Sequence, residues 1–142
     1  MTLEEIENSL PNGLHDAQIK RLAVDYEQRT LTMEVAVWVG KLDGPKENWE
    51  EYRAGRIEIT GWVFLIMEPP DVKYPFRNSA KLTIDGCDLR QNLDSELLRS
   101  LPQESFFRSL WVGEWNGFIH VAGTAAIFSW LDKVSAIEGA KS

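Results

Sequence analysis

Cys87 is the only thiol in a chain of 142 residues, so no internal disulfide can staple the fold, and a reducing compartment is the natural setting. Long apolar runs are missing as well. The longest strongly apolar stretch, Trp62 to Met67, falls far short of the ~20 residues that a membrane-spanning helix needs. The opening MTLEEIENSL is acidic where an export signal is basic and then continuously apolar. The expected location is therefore the cytoplasm, with no membrane contact. Positive charge is scarce: 15 Lys and Arg face 22 Asp and Glu, for a net charge of −7. The basic residues are scattered, mostly one at a time, among more numerous acids, with no Lys/Arg cluster of the kind that nucleic-acid binding requires.

Catalytic signatures are equally scarce. The sequence holds no GxGxxG, no GxxxxGK[ST], no GxSxG and no HExxH. One cysteine and two histidines cannot build a closed zinc site of the Cys/His kind. Asp85, Asp88 and Asp94 lack the spacing and terminal Glu of a calcium loop. These blanks predict a protein that is not an enzyme and carries no cofactor.

What is present is core material. Apolar residues make up 44% of the chain and six of them are Trp, enough for one domain over 1–142 without a metal or disulfide staple. Thr2 and Glu5 have capping-box spacing, and Leu3, Ile6 and Leu10 share one helical face, which predicts a short helix over 2–10 stopped by Pro11-Asn12-Gly13. Residues 17–26 alternate like a strand with a change of phase at Lys20-Arg21, the mark of a β-bulge. After a tight turn at Glu27-Gln28, residues 30–39 alternate through Leu31, Met33, Val35, Val37 and Val39.

Residues 40–55 form a polar excursion. Strands are expected over 56–67 and from 79 to about 86, separated by a Pro-containing stretch that cannot be a regular strand. Asp94 is placed to cap a short helix carrying Leu97, Leu98 and Leu101. Asn116-Gly117 supplies the two positive-φ positions of a type I′ hairpin. A two-residue loop there sets Trp115 opposite Phe118, Val112 opposite Val121 and Phe106 opposite Ile127. The expected class is α+β, mainly β: about six strands, largely antiparallel, in a curled sheet or a sandwich, with two short helices.

Two groups of residues stand out as candidate sites. Trp49 and Tyr52 sit among the acids Asp43, Glu47, Glu50 and Glu51, and an acidic loop with an aromatic tip suits a basic protein partner. Trp49 can equally dock back onto the body, and the acidic surplus can equally serve solubility. The second group, His15, Asp16, Trp62, Trp111, Trp115 and His120, could line an aromatic pocket for a small molecule. Large aromatics on alternating strand positions are also ordinary core filler. His15 with Asp16 has the composition of an oriented general base, and a turn stabilised by the Asp16 carboxylate explains the same pair.

The stretch Gly13-Leu14-His15-Asp16-Ala17-x-Ile19, followed by Asp25 and an alternating strand, resembles the opening of several uncharacterised bacterial families. These include immunity-protein families of polymorphic toxin systems, of the immunity protein 50 type. Phe118-Ile119-His120-Val121-Ala122 through Ile127-Phe128-Ser129-Trp130 is similar to their closing hairpin. The resemblance implies a non-catalytic α+β protein that binds and neutralises a toxin, with no active site to carry over.

Overall fold

The structure, a computed structural model, describes residues 1–71, 81–87 and 95–131. The chain is mainly β, with two short helices and two four-stranded antiparallel sheets. Helix α1 (Leu3–Ser9) begins with the expected reciprocal cap between Thr2 and Glu5 and buries Leu3 and Ile6. Strands β1 (Gln18–Asp25), β2 (Thr30–Trp38), β3 (Tyr52–Thr60) and β8 (Ala125–Trp130) form one sheet in that order. Strands β4 (Phe64–Met67), β7 (Gly117–Gly123), β6 (Phe106–Val112) and β5 (Ile84–Cys87) form the other. Helix α2 (Ser95–Arg99) precedes β6. Asp94, its expected cap, and the start of the strand expected from 79 lie outside the described residues.

The period-2 pattern of β2 sends Leu31, Met33, Val35 and Val37 into the core. They meet Ile57 and Ile59 of β3, Leu110 and Val112 of β6, Ile119 and Val121 of β7, and the apolar side of α1. The β1 bulge falls where the phase changes, between Ile19 and Arg21. The β1–β2 loop is four residues long rather than a tight Glu27-Gln28 turn, with Arg29 in the left-handed region and the Asp25 carboxylate accepting the Gln28 amide.

The sequence pattern merged strands that the structure separates, which is why the described residues hold eight strands rather than the expected six. The run 56–67 breaks at Gly61 (φ +61°) into β3 and β4, and the last run breaks at Thr124 into β7 and β8. Thr60 opposes Ala125, and Phe64 opposes Ala122. The two-stranded ribbon therefore turns a corner and passes from one sheet to the other, as strands do at sandwich corners. Gly123 stands inside that corner, where a Cβ would overlap Ile59 Cγ2. On the opposite side, the amide of Ile19 bonds to the carbonyl of Leu82 and that of Ile84 to Ala17, which ties β1 to the start of β5. The sandwich alternative is realised, with its two sheets joined at both sides.

The last hairpin corrects the expected register. Its loop is four residues, 113–116, so Val112 opposes Gly117, Trp111 opposes Phe118 and Phe106 opposes Gly123; Ile127 pairs with Glu58 of β3 instead. Asn116 adopts a positive φ but Gly117 does not, because Gly117 already belongs to β7. Tertiary bonds override the local turn preference. The Asn116 side chain accepts from Trp111 Nε1 (3.2 Å) and donates to Asp71 (3.1 Å), while the Glu114 carboxylate accepts both the amide and the hydroxyl of Thr83 (2.7 Å each). The displacement along β7 is four residues, an even number, so each strand residue keeps its face.

Candidate binding face

The turn after α1 delivers His15 and Asp16 to one end of the molecule. Gly13 and Asp16 both take positive φ, conformations that suit Gly and that Asp tolerates. Leu14 and Ala17 are buried, and the Asp16 amide bonds to the Ile84 carbonyl across the seam between the sheets. His15 Nε2 then lies 3.6 Å from Asp16 Oδ2, with both side chains well exposed. Such a contact in water contributes little. The His15 ring meets Trp38 edge-on at 6.5 Å.

Asp16 is brought close to two other acids far away in sequence. The Asp85 carboxyl is pushed above the usual carboxylate range, first by partial burial, then by the charges of Glu114 and Asp16, with His15 acting in the opposite sense. The Tyr52 phenol is raised by burial and by Asp16 and Glu50, while its hydrogen bond with Gln18 acts against them. Asp16 is the common member of these two groups, acting with Glu114 on Asp85 and with Glu50 on Tyr52. Asp85 fits there because residue 113 is glycine: a Cβ would overlap the carboxylate.

The sign of the resulting pH effect follows from linkage. A carboxyl whose folded pKa is raised holds its proton longer in the folded state, so stability is lost as pH rises from the unfolded value of 3.8 through the folded one. Asp85→Asn is therefore expected to gain thermal stability relative to the parent at pH 7 and to gain little or nothing at pH 3. Melting curves at the two pH values test this; an equal shift at both would show that the charge of Asp85 is not responsible.

The excursion between β2 and β3 is pinned to the body, not projected from it. Trp38 Nε1 donates to the Trp49 carbonyl (2.7 Å), Trp49 Nε1 donates to the Gly44 carbonyl (3.0 Å), and Lys46 lies over the Trp49 ring. Asn12 Nδ2 holds the carbonyls of Trp38 and Gly40 at 3.1 and 2.9 Å. A Cβ at Gly40 would collide with the Trp49 and Asn48 carbonyls. The Trp49 ring is therefore folded onto its own loop and its carbonyl is tied to Trp38 of β2, whereas Asp43, Glu47, Glu50 and Glu51 face solvent and Tyr52 is partly exposed. A groove of ≈ 500 Å³ runs along this loop, lined by Asn12, Trp38, Gly40, Lys41, Leu42 and Asp43.

The aromatic residues singled out as a pocket are dispersed. Trp62 sits at the ribbon corner against Tyr26 (5.4 Å) and beneath Arg29 (5.6 Å). Trp111 is tied to Asn116, and Trp115 packs on the core from within the hairpin loop. His120 is fully buried in the middle of β7, stacked on Phe118 and Phe107, while His15 is at the end of the other sheet against Trp38. A second groove, of ≈ 490 Å³, lies over the β1–β2 hairpin at Asp25, Tyr26 and Thr30, beside Trp62 rather than among these four residues.

His120 has partners that no spacing in the sequence announced. Ser109 Oγ is 2.7 Å from Nδ1, Glu68 Oε2 is 2.8 Å from Nε2, and Glu68 Oε1 accepts the Phe118 amide (3.0 Å). With Nε2–H donating to the Glu68 carboxylate, Nδ1 is left to accept from the serine hydroxyl. That connectivity is the one by which an acid–histidine pair activates a serine nucleophile. Here Ser109 and His120 are both completely buried and Glu68 is the member that reaches solvent, so the chain of bonds satisfies polar groups on the sheet. Residues 68, 109 and 120 meet only because β4, β7 and β6 are neighbours.

Among the described residues no group of His, Cys, Asp and Glu is arranged to hold a metal, and no helix is long and apolar enough to cross a membrane. No family model and no curated protein matches the chain. Among solved structures, the chain is similar to the crystal structure of an uncharacterized protein from Neisseria gonorrhoeae, with 15% identity, a TM-score of 0.49, and coverage of 82% of this chain and 93% of that one.

Proposed function

We propose that this chain is a non-enzymatic binding protein whose acidic end face takes a basic partner protein, in the manner of an immunity protein that neutralises a toxin. The observation that supports this reading is that acids from separate segments meet through Asp16, which acts with Glu114 on the partly buried Asp85 and with Glu50 on Tyr52. Like charges held together raise the free energy of the unbound protein, and an incoming cationic side chain relieves that repulsion. The net charge of −7 adds long-range attraction for the same partner. A single thiol is consistent with a reducing compartment.

The test is a tagged pull-down from source cells at low salt, compared with the triple variant Asp16→Asn, Glu50→Gln, Asp85→Asn. A stoichiometric basic protein is expected on the parent, bound at least about tenfold more weakly by the variant and released as salt rises, since exposed charges are screened beyond ~8–10 Å. Glu4→Gln, on the exposed side of α1, is the control and should retain the partner. A partner held equally well by the triple variant would refute the acidic-face reading.

A further inference from the structure

The loop over 40–51 spends both of its neighbouring tryptophans on itself. Trp49 and Trp38 hold its two limbs together, and Asn12 clamps its start. Leu42 is left out of this arrangement: it is 65% exposed, on a segment whose backbone is held in place from both sides. An apolar side chain on a preorganised loop costs little to engage, because its conformational entropy is already spent. Leu42 and Trp38 line one groove together with Asp43, and Glu47, Glu50 and Glu51 are exposed further along the same loop. Lys46 is engaged with the Trp49 ring, leaving Lys41 as the cation at the groove. Lys46 keeps its charge there, so the loop sets Asp43, Glu47, Glu50 and Glu51 against Lys41 and Lys46, a net charge of −2. A segment complementary to that surplus is positive, with an apolar side chain between its cations.

We propose that the groove between Asn12 and Leu42 seats an apolar side chain of a basic segment of the partner protein, with Leu42 and Trp38 covering that side chain and Asp43 and Glu47 meeting flanking Lys or Arg. This rests on the basic-partner reading above and adds a site that confers selectivity. Charge alone would accept any basic surface. The leucine-lined groove requires a particular residue in register with the charges, and specificity is a difference of this kind between related partners.

Synthetic dodecapeptides of charge +4, with either a central leucine or a serine in its place, provide the probe, together with an uncharged leucine peptide. Binding is measured by titration calorimetry and mapped by amide shifts in the intact protein. The leucine +4 peptide is expected to bind about tenfold more tightly than the serine one, as burial of one apolar side chain allows, and to move the amides of Asn12 and 40–43. Leu42→Ser, at an exposed position where the melting temperature should not change, is expected to erase the tenfold gain and leave charge-only binding intact. Equal affinity of the two charged peptides, or shifts confined to Asp16, Asp85 and Glu114, would overturn the groove while leaving the acidic face standing. Failure of both charged peptides to bind would overturn the two together. Reversible self-association abolished by Leu42→Ser would instead assign the groove to a second copy of this chain and overturn the proposal.

Discussion

Glu7→Ala is expected to destabilise the fold by about 3–5 kcal/mol, the range seen when one partner of a buried ion pair is removed. Arg108 Nε and Nη2 lie 2.7 and 2.8 Å from the two oxygens of Glu7, with both side chains only about a tenth exposed. The pair joins α1 to β6 across 101 residues of sequence, so its loss also frees the helix that covers the core with Leu3 and Ile6. The parallel, two-bond geometry makes the interaction stronger than a single contact. Urea unfolding of the variant measures the effect. A loss below about 1 kcal/mol would place the pair with solvated surface contacts, which rarely contribute more.

Glu68→Ala is expected to cost about 2–4 kcal/mol, because His120 Nε2 and the Phe118 amide lose their acceptor at about 1–3 kcal/mol each. The figure is set below the sum because a quarter of the Glu68 side chain is exposed and water can reach its place. The informative comparison is the double variant Ser109→Ala with His120→Leu. It removes both partners of the buried Ser109–His120 bond, which is far less costly than orphaning one, and leaves the part-exposed Glu68 carboxylate to the Phe118 amide and water. If the double variant is less damaging than Glu68→Ala, the buried bonds serve the sheet. If Glu68→Ala unfolds at the same urea concentration as the parent, the hydrogen-bonded chain contributes nothing to stability.

Much of the fold was legible because it is written locally. The Thr2–Glu5 cap, the alternation of β2 and the phase change at Lys20-Arg21 each involve residues a few positions apart, and all three stand in the structure. The hairpin register was misread for a physical reason. Asn116-Gly117 is a strong two-residue turn signal in isolation, but Glu114 bonds to Thr83 and Asn116 to Asp71. Those partners lie 31 and 45 residues away. The ribbon corner was missed because an apolar strand looks the same before and after a bend; Gly61 and Gly123 were its only local signs. Of the candidate site, the exposed acids of the 40–51 loop were readable from composition. That Trp49 folds onto its own loop, and that Asp16 acts on both Asp85 and Tyr52, was not.

By itself the sequence determined the class of the protein: mainly β, one amphipathic helix at the start, an acidic surface and side chains sorted to the correct faces. Periodicity and capping decide such things within a few residues, where the chain's own stereochemistry suffices. The tertiary structure alone decided which charges meet, which aromatics are consumed by packing, and that Ser109, His120 and Glu68 share a line of hydrogen bonds. Those outcomes depend on which strands become neighbours. That choice is made by the burial of the whole core at once, a cooperative quantity that no short stretch of sequence contains.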